Sequence, residues 1–248
     1  MNMMRGFFVA LLLVSMGCST GPREARLPLR APSASRMFGV GGETLHYLVL
    51  GDSTAVAEGG DYEQGIAVET ARHLARGGRG VELTNVAVSG ARVHDVLTEQ
   101  LLRADLAHAD LVLVDAGAND VIKLTSSGAV ARDLERIVET LLQANCNMKI
   151  VVTGSPNMST PPRIPRLLRG LAGVRSRAVN RIAEKVVKRH ELTFAPISER
   201  TGPIFARDRT LFSADRFHPN NRGYAVWVPV LNEALDQALA NQLGHCSP

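Results

Sequence analysis

Two hydrophobic patterns alternate along this chain. Short apolar runs at Thr44–Leu50 (TLHYLVL), Val81–Val88 (VELTNVAV), Asp110–Asp115 (DLVLVD), Lys149–Thr153 (KIVVT) and Leu192–Ile197 (LTFAPI) are bounded by turn residues, which predicts five strands. Between them, apolar positions recur at three- and four-residue steps. That period predicts helices over Glu63–Arg76, Val93–Leu102, Gly128–Asn145, Arg163–Arg189 and Asn221–Gln242. Gly77-Gly78 stops the first helix. Pro156 to Pro165 reads as a Pro-rich connection, and Ser198 to Phe217 as an irregular segment. Strands alternating with helices imply crossover connections and a parallel sheet covered on both faces. The expected fold is therefore α/β: a three-layer α/β/α sandwich on five parallel strands. Its functional loops should lie beyond the carboxyl ends of those strands.

The chain has 248 residues, enough for one such domain, expected over 44–248. Its start has a different character. Arg5 precedes an apolar run, Gly6–Met16, that is too short to span a bilayer and has the length of a signal h-region. Residues 1–17 are thus expected to be a signal peptide, with the mature protein in the periplasm or cell envelope. Gly17-Cys18 fits lipidation at Cys18 and so membrane attachment, while Ser15-x-Gly17 fits ordinary cleavage; both stay open. Residues 18–43, rich in Pro, Gly, Ser and Arg, read as a tether. In an oxidising compartment Cys146 and Cys246 become a candidate disulfide. No CxxC or Cys/His cluster supports a zinc site.

The formal net charge is +4, and many of its cations fall between Arg163 and Arg189. Leu171, Val174, Ala178, Val179, Ile182 and Val186 interleave with them, giving a helix with a basic outer face. Such a face is either solvated or meets anionic lipid or envelope polymer. Aromatic residues make up 4% of the chain and do not interleave with the cations, which argues against a nucleic-acid platform.

Four groups of chemically capable residues follow strands. Gly51-Asp52-Ser53 ends the first strand, placing Ser53 at the sheet mouth near an expected helix start. Ser89-Gly90 follows the second, and Gly117-Ala118-Asn119-Asp120 the third, where the Asn119 amide is a candidate oxyanion donor. Asp215-Arg216-Phe217-His218 follows the fifth; His218 there can take a proton from Ser53 while Asp215 fixes its tautomer. Each group alone is weak. A second Asp-x-x-His, Asp105 to His108, shows how readily that pattern arises. It precedes the third strand and so falls at the opposite sheet edge. Among the other histidines only His94, beside Asp95, lies on the side of Ser53.

Taken together, the blocks Gly51-Asp52-Ser53, Gly90, Gly117-x-Asn119-Asp120 and Asp215-x-x-His218 resemble the four motif blocks of the SGNH (GDSL) hydrolases, in that family's order. The resemblance runs from Thr44 to the C-terminus. It implies a flavodoxin-like fold and a Ser53–His218–Asp215 triad, with an oxyanion hole from the Ser53 N–H, the Gly90 N–H and the Asn119 side chain. It implies carboxylic ester hydrolysis through an acyl-enzyme, without metal or organic cofactor. One departure is the GDST-AVAEG turn, where many members carry a hydroxyl or bulkier residue; it bears on the acyl pocket. Lipid esters, short acyl esters, and O-acetyl groups on carbohydrate or peptidoglycan remain alternatives for the substrate. A non-catalytic envelope binding domain is the rival from another class. A nucleotide-binding domain is disfavoured, because no Gly-rich phosphate loop follows the first strand.

Overall fold

The computed structural model describes residues 29–32 and 34–241. Its sheet has six strands: β1 (Arg36–Phe38), β2 (Thr44–Gly51), β3 (Gly80–Asn85), β4 (Leu111–Asp115), β5 (Lys149–Val152) and β6 (Thr193–Phe194), in the order β1-β3-β2-β4-β5-β6. The five expected strands are all present and pair in parallel. The sixth, β1, runs antiparallel to β3 with Arg36 opposite Leu83. It lies inside the stretch read as a tether. Three residues, of which Phe38 alone is buried, leave no alternation to read. Val88 also makes an isolated bridge to Arg30, so this arm is laid along the sheet.

Period-2 alternation explains the layers. In β4, Leu111 and Leu113 face one core with Tyr47, Val49 and Val81. Val112 and Val114 face the other with Leu48, Leu50 and Ile150. Helices α1 (Ile66–Leu74), α6 (Ile197–Arg207) and α7 (Asn221–Ala240) supply Ile66, Phe205, Tyr224 and Trp227 to the first core. The second core is closed by α2 (Val93–Asp95), α3 (Ala118–Ile122), α4 (Ser127–Ala144) and α5 (Arg166–Arg189).

Two stretches differ from the sequence expectation. The one read as irregular carries α6, which contains Pro203 after Gly202. These two residues look like a breaker, yet burial of Ile197, Thr201 and Phe205 holds the helix. The helix expected over Val93–Leu102 is not uniform: α2 passes into a π turn, Val96–Gln100, and a 3-10 turn, Leu101–Arg103. Cys146 is disulfide-bonded. Cys18, Cys246 and the signal segment expected over 1–17 lie outside the described residues.

Candidate active site

The turn that carries Ser53 is built by close packing at the end of β2. A Cβ on Gly51 would sit 2.5 Å from the Asp115 carbonyl oxygen, so only glycine fits where β2 and β4 end side by side. The π turn delivers the buried Gln100 to this point. Its Oε1 accepts from the Gly51 N–H and its Nε2 donates to the Gly51 carbonyl, both at 2.8 Å. Ser53 follows and is 6% exposed. It does not stand at a helix start, since α1 begins only at Ile66. The chain coils instead through tight turns, with the Glu58 N–H bonding the Ser53 carbonyl at 2.9 Å and Ala57 at φ 57°.

The Asp215–His218 loop is held from several sides. Asp215 Oδ1 accepts from Ser213 Oγ (2.6 Å), the Phe217 N–H (2.8 Å) and the His218 N–H (3.0 Å). Its Oδ2 lies 2.5 Å from His218 Nδ1. Burial raises the pKa of this carboxyl, but the four donors outweigh it and hold the value at about 2. Asp215 is therefore ionised near neutrality and fixes the tautomer with the proton on Nδ1, which leaves Nε2 free to accept one. Asn220 pins the loop by donating to the Thr210 (2.7 Å) and Phe212 (3.1 Å) carbonyls while capping α7.

Ser53 and His218 line one cavity. Among the described residues no hydrogen bond joins their side chains; such contacts commonly tighten only with substrate present. His218 Nε2 lies instead 3.8 Å from Glu58 Oε2, and Ser89 Oγ donates to that same carboxylate oxygen. Most of the cavity wall is apolar, including Pro156, Met158, Phe205, Phe212 and Phe217. Its volume is about 40 Å³.

The loops that carry the expected oxyanion donors are joined by hydrogen bonds. Asn119 Nδ2 donates to Asp52 Oδ2 (3.2 Å), beside Ser53, and to the Ala91 carbonyl (3.1 Å), beside Gly90. Lys123 Nζ donates to the Gly90 carbonyl at 2.8 Å, and the Val93 N–H to Asp120 Oδ2 at 2.9 Å. The loops after β2, β3 and β4 are thus tied into one cradle.

Beneath Ser53 lies a buried acid pair. Thr54 Oγ1 is 3.0 Å from Asp52 Oδ1 and 2.5 Å from Asp115 Oδ2, while Thr153 Oγ1 donates to Asp115 Oδ1 at 2.9 Å. A hydroxyl carries one proton and can donate to only one of two carboxylates. The second contact needs a proton on a carboxyl, so the pair holds one. Burial, then the neighbouring Asp115, pushes Asp52 up to about 7; burial also raises Asp115.

The decoys fall elsewhere. His108 Nδ1 meets Asp105 Oδ2 at 2.9 Å, but both side chains are largely exposed and they line a hollow with His46 and Glu82. His94 Nδ1 turns to Asp133 of α4 at 3.1 Å. Sequence reasoning missed Glu58, Gln100, Thr54 and Asp115. Asp115 carried a signal, being an acid at the end of an otherwise apolar strand, and the other three carried none.

Residues 49–226 match the family model described as the GDSL-like Lipase/Acylhydrolase family. A curated relative, a GDSL-like esterase of Mycobacterium tuberculosis, is 30% identical over 204 residues. The match covers 80% of this chain, and the chain spans only 64% of that relative's length. The crystal structure of TesA superposes with a TM-score of 0.63 at 20% identity, covering 78% of this chain and 99% of that one. Phospholipase A1 from Streptomyces albidoflavus gives 0.57 at 22% identity, covering 76% and 98%. At these identities the structures establish a shared fold.

Proposed function

The chain belongs to the GDSL-like lipase/acylhydrolase family, and from that premise we propose that it hydrolyses carboxylic esters with Ser53 as nucleophile. The observation that carries this reading is the cavity shared by Ser53 and His218, with His218 Nδ1 fastened to an ionised Asp215. Ser53 Oγ attacks the ester carbonyl carbon as its proton passes to His218 Nε2. The N–H groups of Ser53 and Gly90 and the Asn119 amide take up the oxyanion, Asn119 sharing or releasing its Ala91 bond to do so. Collapse breaks the bond to the alcohol oxygen, which leaves with the proton from Nε2. Water, deprotonated by the same nitrogen, then attacks the acyl-Ser53 ester; the acid departs and Oγ regains its proton.

The cavity favours short acyl groups. Its volume is about 40 Å³, and one water needs roughly 10–15 Å³ by that measure, so about three water-sized groups fit. Esters of short acids are thus the proposed substrates. Acetyl esters of a carbohydrate are a second reading, supported by a polar hollow of about 400 Å³ that holds Arg177, Arg181 and Glu199 and meets the catalytic cavity at Asn157 and Gly202. Export to the periplasm or envelope belongs to the same proposal and rests on the charged and apolar start of the chain.

The test is a series of p-nitrophenyl esters from acetate to palmitate, run on the parent and on Ser53→Ala. Hydrolysis is expected to fall steeply beyond butyrate and to vanish in the variant. Full activity in Ser53→Ala would refute the nucleophile, and a preference for palmitate would refute the short acyl site.

A further inference from the structure

The first half of α5 carries apolar side chains on its outer face. Leu167 is 97% exposed, and Leu168, Leu171 and Val174 are each more than half exposed. Steps of four and three place 167, 171 and 174 on one stripe. Arg175 fastens the turn after α3 beside it, donating Nε to the Val121 carbonyl (3.2 Å) and Nη2 to the Thr125 carbonyl (2.6 Å). That turn presents Ile122 and Leu124, both exposed. Six of the eleven large apolar side chains exposed among the described residues therefore gather here. Monomer surfaces seldom concentrate apolar area in this way without a partner.

The same surface is strongly basic. From Arg163 to Ala183 the sequence has six arginines and no acid. The Arg163 N–H bonds the Arg216 carbonyl at 2.9 Å, which joins this cluster to the loop of His218. Arg169 lies close enough to Arg209, Arg166 and Arg216 for them, after its desolvation, to disfavour its charge. Among the described residues, none of Arg163, Arg166, Arg169 and Arg216 pairs with a carboxylate. Helices α3 and α5 both begin beyond carboxyl ends of strands, on the edge that holds Ser53. Thr160 and Pro161, on the approach to α5, line the catalytic cavity.

We propose that this face docks the protein on an anionic lipid bilayer, with Leu167, Leu168, Leu171 and Leu124 entering the acyl region, Arg163 and Arg166 meeting headgroup phosphates, and the mouth of the Ser53 cavity turned toward the interface. A neutral bilayer would answer only the leucines. A polyanion in solution would answer only the arginines. An anionic bilayer answers both at one depth. Docking is independent of the ester reading, and its test does not use activity.

The experiment uses the full chain and reads insertion locally, at a reporter on the proposed face. Trp227 is the chain's one tryptophan and is buried, so it gives a constant background. Leu168→Trp places a reporter on the proposed face. Leu102→Trp places one on a still more exposed leucine at the opposite sheet edge, just before β4. Both are first matched to the parent by thermal midpoint. The vesicles hold three parts phosphatidylglycerol to seven of phosphatidylcholine, or phosphatidylcholine alone. Leu168→Trp emission is expected to shift to the blue and be quenched by brominated lipid on the anionic vesicles, while Leu102→Trp stays unchanged. Arg163→Gln with Arg166→Gln should weaken that signal's lipid dependence about twenty-fivefold, roughly fivefold per lost charge. Equal shifts at both reporters, no shift at 168, or indifference to the arginines would each overturn the proposal. So would a shift at 168 that follows protein concentration without vesicles, which would assign the face to a second copy.

Discussion

Asp52→Asn tests the proton held beneath Ser53. In the native protein Asp52 is pushed from its ordinary 3.8 up to about 7. Between about pH 5 and pH 7 the unfolded chain has released this proton and the native state keeps it, so the unfolded state binds fewer protons and stability falls as pH rises. The slope is about 1.4 kcal/mol per pH unit for one proton, or about 3 kcal/mol over that window, and it flattens above the native pKa. Asp215 has the opposite sign. Its pKa is lowered to about 2, so its contribution is present above the unfolded value and is lost only as pH falls toward 2, leaving it flat across this window. Asn at position 52 keeps the shape and an acceptor for Asn119 but has no proton to release. Urea unfolding of parent and variant at about pH 5 and about pH 7.5 gives a double difference in which pH-independent costs of the substitution cancel. The variant should gain about 3 kcal/mol on the parent between those two conditions, and somewhat more once Asp115, freed of a like charge, ionises more readily. Parallel pH dependences would refute the argument, because Asp52 would then be ionised throughout and the Thr54 hydroxyl would need another proton count.

Two further outcomes follow from contacts around the same turn. Glu58 stands 3.8 Å from His218 Nε2, which in the proposed mechanism protonates the leaving group, and a unit charge at about 4 Å in water is worth about 1 kcal/mol. Glu58→Gln should therefore raise kcat/KM for an acetate ester of an anionic phenol about fivefold relative to a neutral one; an unchanged ratio would show that the leaving group does not pass this carboxylate. Gln100→Leu removes the partner of the Gly51 N–H, while the Gly51 carbonyl keeps the Val88 N–H at 3.2 Å. With about 1–3 kcal/mol for the one buried N–H left unpaired, urea unfolding should show a loss of about 1–3 kcal/mol, and a variant as stable as the parent would mean that water or a backbone shift replaces the clamp.

Sequence disclosed most where burial was continuous. All five residues of β4 are buried, and a run of that kind can belong only to an inner strand covered on two faces. It disclosed least where a short element borrows its stability from a neighbour. β1 is three residues held by β3, and α6 survives Gly202-Pro203 because its inner face is covered. The site divides in the same way. Ser53, Gly90, Asn119 and His218 each follow a strand, and sheet polarity puts them on one edge. Gln100 reaches Gly51 through a π turn, and Glu58 turns back to His218 after a positive-φ alanine. No local pattern encodes either reach.

The two Asp-x-x-His pairs differ in what surrounds them. The pairwise contact is nearly the same in both, His Nδ1 to Asp Oδ2 at 2.9 Å for Asp105–His108 and 2.5 Å for Asp215–His218. A search for that contact would return both. The difference lies in the surroundings. Asp105 and His108 stand mostly in water, where a pair of this kind is worth little and either ring can turn away. Asp215 is gripped by three further donors from its own loop, and His218 is 12% exposed between that carboxylate and Glu58. Orientation that costs nothing further at the moment of reaction is what a general base needs. The loop after β6 supplies it on the edge where β2 has already placed Ser53, so strand direction and loop rigidity set this Asp–His pair apart from the other, and the motif alone does not.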